Sequence, residues 1–180
     1  MSKVSKAERQ PEEQLWDELS HVRAGMLGIE GSHSHMQPMA HMAEKESGRI
    51  FFFTSRSGDL FREMGDGAHA HFCVIGKSQA YHACIMGDLH ETRDRAKIDE
   101  LWNDMTGAWF KGKDDPDLAL LEFNLLDAAI WASTQNPVKF AFEVQKAKHS
   151  DHEPDVGARA HVDFKAAPGV SSREQSGKRV

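Results

Sequence analysis

The ten-residue stretch from His33 to Met42 combines residue types that can ligate a metal. It reads HSHMQPMAHM and carries three histidines and three methionines. Imidazole and thioether groups are ligands for copper and related metals. In a strand, however, each residue rises about 3.3 Å, so His33 and His41 would lie about 26 Å apart. Because metal–nitrogen bonds are only about 2 Å long, only His33 and His35 could chelate together, with further ligands from elsewhere.

A second pair with the same H-x-H spacing, His69 and His71, falls in another predicted strand. If the two pairs lay on adjacent strands, four imidazoles could close a metal site. The alternative is that these histidines form a polar strand face beside a ligand or a subunit boundary. We adopt this alternative, because the stretch by itself supplies only two usable ligands, and we predict no metal site.

Hydroxyl groups and a positive charge are concentrated where a predicted strand meets a short helix. The segment FFFTSRS places Thr54, Ser55 and Arg56 just before the helix DLFREM. Hydroxyls, backbone N–H groups and a guanidinium bind phosphate well, and a helix N-terminus adds a favourable field. The segment is therefore a candidate phosphate site. The alternative is an ordinary turn in which Ser57 caps the helix.

Motifs of common hydrolases and nucleotide-binding enzymes are missing or incomplete in the sequence. GKS at 76–78 recurs in P-loops, but His71 stands where the first glycine is needed. His90-Glu91 is followed by Asp94 where a zinc-protease helix has its second histidine. The sequence contains neither G-x-S-x-G nor G-x-G-x-x-G. No side chain is therefore assigned as a catalytic acid, base or nucleophile.

The composition limits the class of protein. The chain has 180 residues, a formal net charge of −6 and 39% hydrophobic residues, which suits a single domain without a nucleic-acid partner. Cys73 and Cys84 lie in apolar runs without a CxxC spacing, so we interpret them as core residues in a reducing compartment. The N-terminus lacks the apolar segment of a signal peptide, and no apolar run is long enough to span a membrane. We expect a cytoplasmic protein.

Hydrophobic periodicity predicts helices and strands in a definite order. A first helix begins at Pro11, a clear amphipathic helix covers RDRAKIDELWNDM, and the remaining apolar runs predict six or seven strands. Hairpin-length connectors predict a largely antiparallel sheet, and hence an α+β protein built on a small β-barrel. Polar composition predicts disordered tails at 1–10 and 146–180, which leaves 11–145 as the folded domain.

Five segments, taken together, resemble a known family. They are LWDELSHVRAGMLGI, MQPMA, IFFFTSRSGDLFREM, IMGDLHETRDRAKIDELWN and AWFKGKDDPDLALLEF, in this order between residue 15 and about 145. They resemble the general stress protein 26 group of the pyridoxamine 5′-phosphate oxidase-like, FMN-binding split-barrel superfamily. The resemblance implies a mostly antiparallel six-stranded split β-barrel flanked by helices. It also implies a homodimer that holds a flavin in each of two grooves between the subunits.

The resemblance further implies which residues contact the flavin. In such proteins the segment matching QPM lies beside the flavin, and the segment matching FFTS lies along the isoalloxazine ring and ribityl chain. Aromatic residues from the partner subunit complete the groove. The implied cofactor is FMN, or FAD, and the implied cofactor-binding residues are Gln37, Pro38, Met39, Phe53, Thr54, Ser55, Arg56, Trp109, Phe110 and Trp131.

Two positions depart from the family pattern. The family commonly has arginine where this chain has Gln37, and lysine near Leu60, and both cations are expected to hold the cofactor phosphate. Each charge-assisted hydrogen bond contributes about 1.5–3 kcal/mol, so losing two would weaken FMN binding by orders of magnitude. Arg56 or Arg62 could take over this role.

Two functional hypotheses follow from the resemblance. The first is a flavin-binding homodimer that acts as a small-molecule oxidoreductase in a stress response; the flavin then supplies the redox chemistry, and the protein binds, orients and shields it. The alternative is a non-catalytic binding or sensing dimer that holds flavin, haem or a metal, or whose cofactor site is degenerate.

Overall fold

The computed structural model describes residues 2–134 and 157–164, together with 136, 140 and 145–146. Its helices are α1 (Lys3–Arg9), α2 (Pro11–His21), α3 (Asp59–Met64), α4 (Arg95–Leu101) and α5 (Asp104–Gly107). Its strands are β1 (Ala24–Ile29), β2 (Gln37–Ala40), β3 (Met42–Glu44), β4 (Arg49–Ser55), β5 (Ala68–Ile75), β6 (Tyr81–Thr92), β7 (Leu118–Ser133) and β8 (Gly157–Asp163). Among these residues, every helix is too short or too polar to cross a bilayer.

The strands form one sheet that curls into a half-barrel. Their order is β2-β1-β5-β6-β7-β4-β3, with β8 paired to β7, and every pair is antiparallel. The two strands at the ends of this order, β2 and β3, are separated in sequence by His41 alone. A sheet whose first and last strands are joined by one residue must curl, and β2 also contacts β4. The predicted α+β class and split β-barrel are confirmed.

The described sheet has eight strands instead of the predicted six or seven. The His/Met stretch is not one strand, because His33–Met36 lie in a loop and the remainder is divided into β2 and β3 at His41. The eighth strand, β8, falls in the region predicted to be a disordered tail. The apolar runs LALLEFNLL and AAIWAS, which Asp127 separates, lie in the single sixteen-residue strand β7.

Alternation along β5 and β6 directs one face of each strand into the barrel. On β5, Ala70, Phe72 and Val74 are buried, while the residues between them are at least partly exposed. The Phe72 ring packs edge-on against the ring of Phe52 on β4, with centroids 4.9 Å apart. Leu60 and Met64 of α3 join this core. The other face of these strands points outward, as a period of two requires.

The N-terminal residues are ordered where a disordered tail was predicted. Helix α1 begins after Ser2, whose hydroxyl accepts a hydrogen bond from the Ser5 N–H at 3.2 Å. Ala7 of this helix is fully buried, and Lys6 donates a hydrogen bond to Asp17 of α2 at 2.9 Å. Helix α1 also packs against β7 and β8. The prediction missed this because a seven-residue helix gains its stability from tertiary packing and not from its own polar sequence.

The long helix predicted over RDRAKIDELWNDM is two short helices. The chain leaves helical geometry at Trp102, and α5 then restarts with the Asn103 side chain accepting from the Thr106 N–H at 3.0 Å. Short polar side chains such as asparagine compete with the helix by bonding the nearby backbone, which explains the break. No residue of α4 is fully buried within the described chain, and Met105 of the predicted apolar face is 57% exposed.

Candidate functional site

Strand β2 carries the first three predicted flavin-contacting residues. Gln37 is half-buried opposite Leu27, Pro38 is exposed, and Met39 is buried opposite Gly25 on β1. Proline has no N–H to donate, and β2 stands at the end of the sheet order, where that donor is not needed by a further strand. The structure therefore separates this triplet, with Met39 directed to the core and Pro38 directed outward.

The last three residues of β4 lie next to β7. Phe53, Thr54 and Ser55 are all half-buried, and they pair with Leu120, Ala119 and Leu118 in register. The Phe53 ring packs edge-on against Trp102, with centroids 6.0 Å apart. Because β2 contacts β4, the two predicted segments lie on neighbouring parts of the barrel.

An acidic residue occupies the hydroxyl cluster that the sequence analysis treated as a phosphate site. The Ser55 hydroxyl donates to Asp117, the Ser57 N–H donates to the same carboxylate at 2.9 Å, and the Ser57 hydroxyl does so at 3.2 Å. These hydrogen bonds, from Ser55 above all, hold the pKa of the Asp117 carboxyl below its usual range. The cluster therefore carries a negative charge, and Ser57 does not cap α3, whose N-cap is Gly58.

Arg56 is directed toward β6 and β7 by several partners. Its guanidinium forms an ion pair with Glu91 and donates to the carbonyl oxygens of Pro116, at 3.0 Å, and of Leu118. Its backbone N–H donates to the Asp117 carbonyl at 2.8 Å. Arg56 therefore serves to fasten the end of β4 to the start of β7, and its charge is already balanced by Glu91.

Helix α3 contributes no free cation at the position where the family resemblance implies a lysine. Leu60 is buried in the core, so its side chain packs against the barrel. Arg62 is exposed, pairs with Asp59 and donates to the Ser57 carbonyl.

The three predicted partner-contacting aromatics lie on exposed parts of the chain. Trp109 follows α5 and is 83% exposed, and Phe110 beside it is half-buried. Trp131 is 41% exposed on the outer side of β7, opposite His82, with the Arg159 guanidinium 5.7 Å from its ring centroid. Among the described residues, no hydrogen bond or ring contact joins Trp109 or Trp131 to the β2 and β4 segments.

The histidines of the two H-x-H pairs are distributed over different surroundings. His69 forms an ion pair with Asp88 at 2.7 Å, while His71 lies 3.6 Å from the Cys84 sulfur. The Nε2 N–H of His41 donates to the Leu19 carbonyl at 2.9 Å, and burial lowers the pKa of the imidazole. In the described part of the chain, no group of three or more His, Cys, Asp or Glu residues is placed to hold a metal ion.

Two pockets of the described structure lie away from the predicted flavin residues. One cavity of about 550 Å³ lies between α2 and β3, and its lining includes Trp16, Asp17, His41 and Lys45. A second, of about 320 Å³, is lined by the ends of β5 and β6, including His69 and Asp88.

Three side chains near the predicted site are not assigned to it by the sequence. Asp117, Glu91 and Trp102 are distant in sequence from the segments they contact. The β4–β7 register, in which Ser55 pairs with Leu118, brings Asp117 beside Ser55. No spacing rule could have found this carboxylate, although the run DDPD before a predicted strand marks a turn rich in acidic groups.

Comparison with known proteins gives a consistent family. The sequence profile described as "Pyridoxamine 5′-phosphate oxidase like" matches residues 10–155. A search of curated proteins finds no significant match.

Several solved structures share both sequence and fold with this chain. A general stress protein 26 from Jannaschia sp. CCS1 is 34% identical, with a TM-score of 0.69 over 88% of this chain and 99% of that one. A general stress family protein from Xanthomonas campestris pv. campestris is 35% identical, with a TM-score of 0.65 over 71% and 90%. A general stress FMN/FAD binding protein from Xanthomonas citri is 36% identical, with a TM-score of 0.63 over 69% and 90%.

Proposed function

This chain belongs to the pyridoxamine 5′-phosphate oxidase-like family, and from that premise we propose that it binds a flavin, FMN or FAD, as a homodimer. The observation that carries the proposal is the contact between β2 and β4, the two strands that hold the predicted flavin-contacting segments. Gln37, Phe53, Thr54 and Ser55 are half-buried and Pro38 is exposed, so both strands keep side chains that a ligand can reach. Small-molecule sites combine apolar side chains with a few hydrogen-bonding groups, as these two segments do. The 36% identical FMN/FAD binding relative supports the same ligand class.

A second copy of the chain would complete the groove. Trp109 and Trp131 are large apolar side chains that a monomer leaves 83% and 41% exposed. Exposed aromatics of this size are enriched in protein interfaces, where burial of each ring contributes strongly to association. In the proposed dimer, Trp109, Phe110 and Trp131 of one subunit approach the flavin bound to β2 and β4 of the other.

The residues fit the flavin ring better than they fit its phosphate. Thr54 and the ring of Phe53 can contact the ring system and ribityl chain, but the hydroxyls of Ser55 and Ser57 already donate to the charged Asp117 carboxylate. Arg56 is paired with Glu91. A phosphate dianion at this cluster would be repelled by Asp117 and would find no unpaired cation in Arg56. The proposed site therefore gains most of its affinity from the isoalloxazine and ribityl groups.

The leading functional class is a flavin-dependent oxidoreductase that acts on a small molecule. A bound flavin would supply hydride and electron transfer, while this chain would orient the ring and exclude water from it. The second candidate is a binding or sensing dimer without turnover. The pairing of Asp117 with Ser55 and Ser57 favours this second candidate, because it opposes tight retention of the phosphate group of FMN.

An absorption spectrum of the untagged protein as purified, followed by titration with FMN and with riboflavin, tests the proposal. A two-banded flavin spectrum, or saturable binding of either compound with one site per chain, supports it. Light scattering of the same sample reports the mass expected for two chains. A colourless protein that binds neither compound contradicts flavin binding, and a monomer that binds flavin contradicts the shared groove.

Reduction of the bound flavin separates the two functional candidates. Under anaerobic conditions, bleaching of the flavin band by NADH or NADPH supports the oxidoreductase. Full occupancy without reduction by either nicotinamide supports the binding or sensing dimer.

A further inference from the structure

The two cysteines lie directly opposite each other on neighbouring strands. Cys73 of β5 pairs with Cys84 of β6 in the antiparallel register, and both are free thiols. Their neighbours Phe72, Val74, Ala83 and Ile85 are buried, so the alternation of the strands directs both thiols to the outer face of the sheet. Both cysteines are partly exposed, which corrects their interpretation as core residues.

The pairing geometry is compatible with a disulfide. Residues directly opposite in an antiparallel pair have Cα atoms about 4.5 or about 5.5 Å apart, depending on whether they exchange hydrogen bonds. Both separations lie within the range of about 4.4–6.8 Å found for disulfides. Both thiols also project from the same face of the sheet. The pairing of the two strands therefore allows a bond between the two sulfurs.

The two thiols are not equivalent, because a base, His71, lies beside Cys84. His71 Nδ1 lies 3.6 Å from the Cys84 sulfur, close enough to accept its proton and to stabilise the thiolate. The hydrogen bond from Cys73, followed by His71, lowers the pKa of the Cys84 thiol. The same contact with Cys84, followed by burial, raises the pKa of Cys73. Cys84 is thus the nucleophile of the pair.

Other titratable groups face the pair from the adjacent strands. Asp127 on β7 opposes thiolate formation at Cys84. His161 on β8 pairs in register with Ala129 of β7, and Ala129 in turn lies opposite Cys84. The His161 Nε2 atom lies 3.4 Å from a carboxylate oxygen of Asp127. His82 lies two residues before Cys84 on the same face of β6. Of these groups, His71 is the one in hydrogen-bond contact with Cys84.

We propose that Cys73 and Cys84 form a reactive dithiol on the outer face of the sheet, in which Cys84 reduces a small hydroperoxide and Cys73 then closes a cross-strand disulfide. This site does not depend on a bound flavin.

The reaction balances with one hydroperoxide per dithiol. Cys84 gives its proton to His71, and its thiolate attacks the terminal peroxide oxygen, so that the O–O bond breaks and an alcohol leaves with the proton from His71. The Cys73 sulfur then attacks the Cys84 sulfenic acid, the S–O bond breaks, and water leaves with the thiol proton. The two sulfurs together lose two electrons and two hydrogens, and the hydroperoxide is reduced to alcohol and water.

The test treats the reduced full-length protein with one equivalent of hydrogen peroxide and measures its intact mass under native conditions. The expected product has lost two hydrogens, and peptide mapping joins Cys73 to Cys84 within one chain. In Cys73→Ser the resolving thiol is absent, so Cys84 sulfenic acid should accumulate and be trapped by dimedone. In Cys84→Ser the remaining Cys73 should react at least about tenfold more slowly.

A histidine pair supplies the matched control. His71→Gln should slow alkylation of Cys84 at pH 7 by at least about threefold, because the thiolate fraction falls when its pKa rises. His69→Gln lies on the same strand and the same face but contacts Asp88 instead of a cysteine, so it should leave the rate unchanged.

Several results would overturn the proposal. They are an unchanged intact mass of the folded protein after peroxide treatment, oxidation of the cysteines only after unfolding, a disulfide only between chains, or an equal effect of His71→Gln and His69→Gln on the rate of alkylation. Each result is read on flavin-free protein, so it is independent of the outcome of the flavin titration.

Discussion

Asp117, the residue before β7, accepts a hydrogen bond from Ser55, the last residue of β4. This contact joins the two strands at the place where the sequence alone indicates a phosphate site. The carboxylate also accepts from the Ser57 N–H at 2.9 Å, so a ligand phosphate would have to compete with an internal anion.

Asp117→Asn should strengthen the binding of FMN. The asparagine keeps the size of the side chain and a carbonyl acceptor for Ser55 but removes the negative charge, so repulsion of a phosphate falls. We expect the Kd for FMN to decrease by about fivefold or more. Fluorescence titration measures this change. Riboflavin, which lacks the phosphate, is the matched ligand, and an equal gain for both compounds would show that Asp117 does not face the phosphate.

Trp109→Ala and Trp131→Ala should weaken the proposed dimer. Each change removes a large exposed ring, and truncation of an interface aromatic of this kind costs about 2 kcal/mol or more of association energy. Sedimentation velocity over a concentration series measures the dissociation constant. Phe140→Ala changes another exposed aromatic, one that is not assigned to the groove, and serves as the control. A dimer that tolerates both tryptophan changes as well as it tolerates the control would exclude the proposed arrangement.

His41→Gln should reduce the acid sensitivity of folding. Burial lowers the pKa of His41 in the folded protein, so as the pH falls below about 6.5 the unfolded chain takes up a proton that the folded chain refuses. Stability is therefore present above that pH and is lost on acidification. Glutamine can still donate to the Leu19 carbonyl but does not titrate.

Urea denaturation at pH 7.5 and 5.5 measures this difference. The fall in unfolding free energy between the two pH values should be smaller in His41→Gln than in the native chain. His35→Gln, at an exposed loop position, should leave the difference unchanged. A native-like pH dependence in His41→Gln would assign acid sensitivity to other groups.

Ala7→Lys should destabilise the protein. Ala7 of α1 is fully buried, whereas the next residue, Glu8, is exposed. Ala7→Lys therefore places a lysine in the core, and the control Glu8→Lys places one at the surface. A buried charge without a partner costs about 2 kcal/mol or more, and Ala7→Lys should lose at least that amount in urea denaturation. Glu8→Lys should stay within about 0.5 kcal/mol of the native chain. Equal stability of both variants would mean that α1 does not contribute to the core.

Local patterns in the sequence predicted much of the fold. Buried and more exposed residues alternate in β5 and β6, and β4 contains a continuous apolar run, so the sequence indicates which of their residues enter the core. A change in the spacing of apolar residues, from every second residue to every third or fourth, marks where a strand ends and a helix begins. The break at Trp102 was missed because the Asn103 cap replaces helical hydrogen bonds that periodicity alone would extend. Helix α1 was missed because its stability comes from packing against α2, β7 and β8.

The α+β class, the antiparallel sheet and the family can be predicted from the sequence, because these depend on patterns within short stretches of chain. Which distant side chains meet depends on the tertiary structure. The β4–β7 register places Asp117 against Ser55, and the β5–β6 register places Cys73 against Cys84. A shift of one of these registers by one residue would separate the pair that it aligns, and no local pattern encodes which residue of one strand lies opposite a given residue of the next.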